Sequence, residues 1–349
     1  MEQTPQYETH GKIIRRVPKT KANIYGAIPV TDIPVDEPCI VAIGGELTTM
    51  IKDANYYASL LEKLVTFYNI KNFNIYAVYY DFGRQYDVRK TERENAFIAA
   101  RSKILNKNSE ITPVNTKYID DLYDVIIRPR IVDKNGEKLS DNAALQNMRN
   151  LIIYTHCHGS VPVRAFQDTM SKQLRELRYS ARATYNIMKN LLVIQHAPVS
   201  PLEKSKFNTV SFMSANDTAM NFHNKFSEYV AEHDEDLLPS YFPLGNFFVT
   251  HAFTHQYIAE HQITGLVPDK YQDMLTPDGA IIMAAERNAI VNGVLSAQRG
   301  APIPGIRDLI ASVSTKDVVK PDFDTLAQNG EFFMHIMRKD LRLDRSNKR

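Results

Sequence analysis

A strand, a sharp turn and a helix follow one another between residues 151 and 181, and this succession constrains the fold more than any other feature. The apolar run at 151–154 is typical of a buried β-strand, and it ends abruptly in the segment THCHG at 155–159. Apolar residues then recur every three or four positions, at Val163, Phe166, Met170, Leu174, Leu177 and Ala181. This spacing predicts an amphipathic helix that packs back against the sheet to which the strand belongs.

The turn between this strand and this helix carries one strongly nucleophilic group, the thiol of Cys157. Gly159 permits backbone angles that other residues avoid, and the N-terminus of the following helix favours an anion such as a thiolate. The segment therefore predicts a nucleophile elbow, in which a tight turn holds Cys157 above the edge of a sheet. The alternative is a buried, inert cysteine, the usual state of a thiol beside an apolar strand. Ser160 is a rival nucleophile, but it would place Pro162 where a small, flexible residue is needed.

Other short apolar segments alternate with helical patterns along most of the chain. The sequence predicts strands at 39–43, 74–80, 191–195, 209–213 and 246–250, with weaker candidates at 12–16 and 23–30. Continuous apolar strands separated by helices are typical of parallel sheets that are covered on both faces. We therefore expect an α/β protein, a three-layer αβα sandwich with a mostly parallel, doubly wound sheet.

The alternation also suggests how the chain is divided. We expect a polar lead-in at 1–37, a core at 38–264 with an insertion at about 84–139, and a helical C-terminal extension at 265–349 that contains a helix at about 278–297. Within the insertion, the turn signal DKNG at 133–136 predicts a small hairpin formed by 125–132 and 137–139. The insertion and the extension interrupt the alternation, so either is a candidate cover for a site.

Composition excludes some functional classes. The net charge of +2 gives no argument for nucleic-acid binding, and no run of 18 apolar residues exists that would span a membrane. The first residues are polar and lack the apolar core of a signal peptide. The chain has two cysteines, Cys39 and Cys157, which does not indicate a disulfide scaffold. These features together predict a cytoplasmic protein.

Chemically useful groups follow four of the predicted strands. Gly44 and Gly45 follow the first, Cys157 another, Asp217 a third and His251 the last. Because the carboxyl ends of parallel strands meet at one edge of a sheet, we expect these groups to lie together. Their order along the chain is nucleophile, acid, histidine.

Some of these positions have alternatives. Asp217 can equally be the N-cap of the following helix. Asp234 and Asp236 are rival acids, although their charged surroundings are typical of a solvated loop, and His255 is a rival of His251.

The elbow and this order of residues resemble the α/β-hydrolase superfamily over roughly residues 38–262. The segment at 155–159 corresponds to the family's small-x-nucleophile-x-small pattern, with Thr155 where glycine is usual and Cys157 in place of serine. Cysteine is the nucleophile in the dienelactone hydrolase branch and in polyhydroxyalkanoate synthases. The segment His251-Ala-Phe253 is similar to the one around the catalytic histidine of dienelactone-hydrolase-like members. Gly44-Gly45 falls where the family places its oxyanion-hole loop.

This resemblance implies a Cys157–His251–Asp217 triad. His251 would accept the thiol proton and later protonate the leaving group, and Asp217 would orient its imidazole. The backbone N–H groups of His158 and of Gly45 or Glu46 would hold the oxyanion. The implied reaction is acyl transfer from a small-molecule ester, lactone or thioester to water, through an acyl-cysteine and without a cofactor or metal.

Three other functions stay open on the sequence. An acyltransferase would use the same fold and deliver the acyl group to an alcohol or amine, and a binding or scaffold protein would retain the fold without activity. A metal-dependent hydrolase is the third, because histidine and cysteine cluster at 156–158 and histidine recurs at 251, 255 and 261. The pattern lacks the glutamate of the His-Glu-x-x-His motif, which argues against a metal site.

Overall fold

A mixed, mostly parallel β-sheet forms the centre of the structure. The computed structural model describes residues 11–45, 48–80, 117–156, 159–198, 205–212, 241–242 and 277–313, apart from residues 22, 25, 49, 197 and 312. Within these residues the sheet has eight strands: β1 (Lys12–Arg16), β2 (Ala27–Val30), β3 (Cys39–Ile43), β4 (Asn74–Tyr79), β5 (Leu151–His156), β6 (Leu192–His196), β7 (Asn208–Phe212) and β8 (Tyr241–Phe242). Their spatial order is β2-β1-β4-β3-β5-β6-β7-β8.

The strands β3 to β8 run parallel to one another, and β1 is antiparallel to both of its neighbours, β2 and β4. The central strands β3 and β6 are buried along their whole length, as continuous apolar strands must be when both faces of a sheet are covered. Across the β5/β6 pair, His156 lies opposite His196 at the carboxyl ends of the two strands. The α/β class and the mostly parallel sheet predicted from the sequence are therefore present.

The first two strands belong to the region predicted as a polar lead-in. β1 pairs with β4 in the main sheet, where Ile14 lies opposite Ala77, and Ile14 is fully buried. Residues 12–30 thus contribute two strands to the same sheet as the core. The division of the chain into lead-in, core and extension stays a prediction.

Helices cover both faces of the sheet. They are α1 (Ile51–Phe67), α2 (Lys117–Ile126), α3 (Asp141–Arg149), α4 (Ser160–Glu176), α5 (Ala181–Lys189), α6 (Pro277–Gln298) and α7 (Ile306–Ile310). One apolar core joins the sheet to α1, α6 and α7, and a second joins it to α2, α3, α4 and α5. Among the described helices, none is both long enough and apolar enough to cross a bilayer.

The alternation of side chains along each strand decides which core they enter. Ile152 and Tyr154 of β5 belong to the core shared with α1 and α6, whereas Ile153 belongs to the other core. On β6 the same division separates Ile194 from Val193. Because side chains alternate with a period of two, each terminal histidine, two residues beyond Tyr154 or Ile194, belongs to the α1/α6 face.

One predicted helix is two helices in the structure. The apolar spacing from 163 to 181 predicts a single helix, but α4 ends at Glu176 and α5 begins at Ala181. The break occurs where Arg178 adopts a left-handed backbone with φ of +58°, and Ser180 then caps α5 by accepting a hydrogen bond from the Ala183 N–H. The spacing of apolar residues does not reveal such a break, because it continues past residue 178 as if the helix were unbroken.

The prediction of a hairpin at 125–139 is wrong for most of its first strand, 125–132. Helix α2 extends to Ile126 and a short 3-10 helix covers Arg128–Arg130, so an isolated bridge between Val132 and Lys138 is all that pairs the two segments. The tight turn at 133–136 is present, with Gly136 at a φ of +81°. The predicted strand at 246–250 and residues 84–116 of the insertion lie outside the described residues.

Candidate functional site

The strand and the helix that flank the predicted elbow are both present. β5 ends at His156 and α4 begins at Ser160, which is fully buried. Between them, Gly159 lies so close to the end of β3 that a Cβ atom would overlap the carbonyl oxygen of Ile43 and approach that of Gly44 to 2.8 Å. Position 159 therefore requires glycine, which is the small residue that an elbow needs after its nucleophile.

The segment after β3 is held by tyrosine side chains. A Cβ atom on Gly44 would overlap Thr48 and the ring of Tyr57, so this position also requires glycine. The hydroxyl of Tyr80 donates a hydrogen bond to the carbonyl oxygen of Gly44 at 2.9 Å, and the N–H of Gly45 donates to the Tyr57 oxygen at 3.3 Å. The backbone of the predicted oxyanion-hole loop is thus fixed directly beside α1.

The Tyr57 hydroxyl also contacts the end of β5. Its oxygen lies 2.5 Å from Nδ1 of His156. The Tyr57 oxygen accepts from Gly45 and contacts Nδ1 of His156, and the tautomer of His156 decides which of these two atoms is the donor. This chain of contacts joins the β3 loop to the β5 histidine.

A second histidine lies at the end of the neighbouring strand, paired with a carboxyl group. Nδ1 of His196 is 2.8 Å from Oε2 and 3.0 Å from Oε1 of Glu286. The hydroxyl of Tyr154 donates to Oε1 of the same carboxyl group at 3.2 Å. His196 is 2 % exposed and Glu286 is fully buried. Burial, and next the Glu286 charge, raise the pKa of Tyr154 well above its usual value, so its hydroxyl keeps its proton and remains a donor.

Glu286 reaches the strand ends because α6 packs closely on the sheet. Gly293 of that helix lies against Leu192, where a Cβ atom would come within 2.5 Å of its Cδ2 methyl group. Ile290 and Val294 of α6 are buried in the core that contains Ile152 of β5. The helix is thereby anchored by apolar contacts, and it brings one charged side chain into a buried position.

The two histidines are neighbours. The ring centroids of His156 and His196 are 5.3 Å apart, and the ring of Tyr57 lies 5.5 Å from that of His156. The cluster therefore contains two imidazoles, one carboxyl group and two phenols at the carboxyl edge of the sheet. Such a set can hold and pass protons. In the part of the chain that the structure describes, no three His, Cys, Asp or Glu side chains are arranged to hold a metal ion.

The predicted site residues fall mostly outside the described part of the chain. Gly45 is described, and it lies beside Tyr57 as given above. The other five lie outside the described residues: Cys157, His158, Glu46, Asp217 and His251. The rivals Asp234, Asp236 and His255 do as well, so the triad and the oxyanion hole stay predictions.

Sequence reasoning missed the His196–Glu286 pair and the bridging Tyr57. His196 had a visible signal, since it directly follows a predicted strand, as His251 does. Glu286 had a weaker signal: it is an acidic residue within the mostly apolar segment 280–291 of a predicted helix. Tyr57 had none, because an aromatic residue on the apolar face of a helix is ordinarily core.

No known family model matches the sequence, and no curated protein shows significant similarity to it. The function must therefore be inferred from the residues of this chain.

Proposed function

We propose that this protein is a hydrolase that cleaves an ester, lactone or thioester through an acyl-cysteine at Cys157. The observation that carries the proposal is the contact of Gly159 with Ile43, which leaves no room for a side chain at position 159. A strand and a helix joined by such a short connection are what an elbow requires, and the predicted nucleophile is the second residue before Gly159.

The surroundings of the strand ends support acyl transfer. The sheet is mostly parallel with helices on both faces, and polar side chains collect at its carboxyl edge, where such sheets place their active sites. The finer proposal is an α/β-hydrolase-like fold similar to the dienelactone hydrolase branch, in a cytoplasmic protein. No cofactor enters the proposed reaction.

The proposed reaction has two steps. In the first, a histidine accepts the proton of the Cys157 thiol, the sulfur attacks the acyl carbon, and the imidazolium returns the proton to the departing alcohol or thiol. In the second, the same imidazole removes a proton from water, which attacks the thioester and restores the thiol. The sequence predicts His251 for this imidazole, Asp217 as its partner, and the N–H groups of His158 and of Gly45 or Glu46 as oxyanion donors. Because the Gly45 N–H donates to the Tyr57 oxygen, the proposal takes Glu46 as the second donor.

The first experiment measures how the alkylation rate of Cys157 depends on pH, by intact mass, in the wild type and in C157A. Cys39 is an internal control, because it is fully buried and burial raises the pKa of its thiol. We expect alkylation of Cys157 below pH 7 while Cys39 stays unmodified. A free thiol, with a pKa of about 8.5, would react tenfold more slowly with each pH unit below that value.

A second measurement tests for the covalent intermediate. Wild type and C157A are mixed with activated esters and with acyl thioesters, and the mass of the protein is followed over time. An acyl adduct on Cys157 that forms and then hydrolyses supports the proposal. If both cysteines are inert until the protein unfolds, or no acyl adduct forms, the protein is not a cysteine hydrolase and a binding role is favoured.

A further inference from the structure

The chain contains three Asn-Gly pairs, at residues 135–136, 292–293 and 329–330. An asparagine that precedes glycine readily loses its side-chain amide, because glycine has no Cβ atom to hinder attack by its backbone nitrogen. The structure describes the first two pairs, and the third lies outside the described residues. The first pair lies in an exposed turn and the second in a packed helix, so their surroundings predict different reactivities.

Asn135 and Gly136 lie in the tight turn 133–136, and both residues are exposed. Gly136 has a φ of +81°, and a Cβ atom there would meet nothing within 4 Å, so that side of the turn is open. The N–H of Gly136 donates to the carbonyl oxygen of Asp133 at 3.0 Å. Exposed backbone hydrogen bonds of this kind open at a low cost in free energy. Opening of this one bond frees the nitrogen to approach the Asn135 side chain.

Asn292 and Gly293 lie inside α6, where each backbone N–H is bonded to the carbonyl group four residues before it. Nδ2 of Asn292 also lies within 3.2 Å of the carbonyl oxygens of Asp308, Leu309 and Ala311. Reaction at this pair requires the helix to unfold locally and the side chain to leave these three acceptors. The free energy of such an opening is a large part of the stability of the whole protein.

We propose that Asn135 is a site of spontaneous modification in the folded protein, by deamidation to aspartate and isoaspartate, and that Asn292 is not. The inference is independent of the proposed function. It adds a covalent change in a turn that the proposed reaction does not use.

The reaction at Asn135 needs water as its only co-reactant. The backbone nitrogen of Gly136 loses its proton to a base in the solvent and attacks Cγ of Asn135, which forms the N–Cγ bond of a succinimide ring. The Cγ–Nδ2 bond breaks, and the side-chain nitrogen takes a proton from water and leaves as ammonia. Water then adds to either carbonyl group of the ring, which opens and leaves a carboxylate at residue 135. No group is oxidised or reduced.

The two products differ in their effect on the turn. Aspartate adds a negative charge, whereas isoaspartate also adds one carbon atom to the main chain. Oδ1 of Asp133 accepts hydrogen bonds from the N–H groups of Asn135 and Glu137, both at 2.8 Å, and a longer main chain disrupts this geometry. The Tyr179 hydroxyl holds the chain on both sides of the turn, so we expect the change to be confined to residues 133–137.

The test follows both pairs in the full-length protein, folded and in concentrated guanidinium chloride, at mildly alkaline pH in heavy-oxygen water. The protein is digested, and the peptides that contain residues 135 and 292 are analysed by mass spectrometry. Heavy oxygen marks the deamidation that occurred before digestion. In the folded protein we expect Asn135 to deamidate faster than Asn292 by roughly tenfold or more, because α6 must open first. In guanidinium chloride the two rates should become similar, since both pairs then lie in a flexible chain.

N135Q and G136A are the matched variants. Glutamine has to form a larger, less favourable ring, and a Cβ atom at residue 136 hinders the attack. Both variants should therefore keep the amide at residue 135 over the period in which the wild type loses it. Isoaspartate at residue 135 should appear in the wild-type digest alone.

Two results would overturn the inference. If Asn135 stays intact in the folded protein while it reacts in guanidinium chloride, the turn protects it. If Asn292 reacts as fast as Asn135 in the folded protein, the helix gives no protection and the structure does not distinguish the two sites.

Discussion

A Cβ atom on Gly159 would overlap the carbonyl oxygen of Ile43, because the start of α4 lies directly against the end of β3. The obstacle is backbone on both sides, so neither element can give way as a flexible side chain would. Gly159 and the end of β3 are therefore in direct backbone contact.

Replacing this glycine tests that contact. We expect Gly159→Ala to lower the free energy of unfolding by about 3 kcal/mol, measured by urea denaturation, because the methyl group forces β3 and α4 apart. Gly305→Ala is the control, since a Cβ atom there meets nothing within 4 Å. We expect this control to lower the free energy of unfolding by at most about 1 kcal/mol, because alanine is a poorer helix N-cap than glycine. Equal losses of unfolding free energy in the two variants would contradict the close contact between Gly159 and Ile43.

The Tyr57 hydroxyl joins Gly45 to His156, and Tyr57→Phe removes both hydrogen bonds. We expect a loss of about 1 kcal/mol in unfolding free energy, because one hydroxyl and its partners are affected. With the activated ester, acylation of Cys157 should slow by roughly tenfold, which corresponds to about 1.4 kcal/mol. Tyr185→Phe is the control, because Tyr185 is 63 % exposed. An unchanged acylation rate in Tyr57→Phe would show that Tyr57, and the Gly45 loop that it holds, do not contribute to the reaction.

Arg130 is fully buried and its guanidinium donates hydrogen bonds to the carbonyl oxygens of Ile126, Asn147 and Val35. Arg130→Met would remove these hydrogen bonds, and of the three oxygens the one of Val35 keeps a second donor, Nδ2 of Asn150. We therefore expect a loss of about 3 kcal/mol in unfolding free energy. The control is Arg128→Met, whose side chain is 48 % exposed and forms only a surface ion pair. This control should change the stability by less than about 0.5 kcal/mol, and a similar small effect at Arg130 would contradict its structural role.

Alkaline pH should unfold the protein through its buried phenols. Burial is the largest cause that raises the pKa of Tyr76 and of Tyr179 to about 12, whereas an unfolded tyrosine has a pKa of about 10. Between these values the folded state holds protons that the unfolded state has lost. The unfolding free energy therefore falls as the pH rises from about 10 toward 12.

Tyr179→Phe provides the check on this pH dependence. The hydroxyl of Tyr179 donates to the carbonyl oxygens of Ile131 and Leu139, bonds that ionisation would break. The variant should be less stable at neutral pH by about 1 kcal/mol and should show a shallower decline above pH 10. The measurement is urea denaturation at several pH values. A decline as steep as that of the wild type would show that Tyr179 is not one of the linked groups.

Local sequence patterns determined the α/β class and most of its elements. The apolar runs at 39–43, 74–80 and 191–195 correspond to β3, β4 and β6, and the helix predicted at 278–297 corresponds to α6. These predictions succeed because burial on both faces and the 3.6-residue period are properties of a single segment. The strand and helix on either side of the predicted elbow follow from the same patterns.

Tertiary contacts decided the helix break at Arg178 and the buried Arg130. A left-handed residue and a charged side chain held by four carbonyl groups leave no periodic trace in the sequence. The assignment of β1 and β2 to the main sheet is of the same kind, since it depends on pairing with β4.

The neighbours of the candidate site were also decided by the tertiary structure. Tyr57 and His156 are 99 residues apart, and His196 and Glu286 are 90 residues apart, yet each pair is in hydrogen-bond contact. Such contacts depend on which helices pack on which strands and how closely, as Gly293 allows for α6. The sequence by itself therefore determined the strand and the helix that flank the predicted nucleophile, whereas packing of α1 and α6 against the sheet decided which groups surround the strand ends.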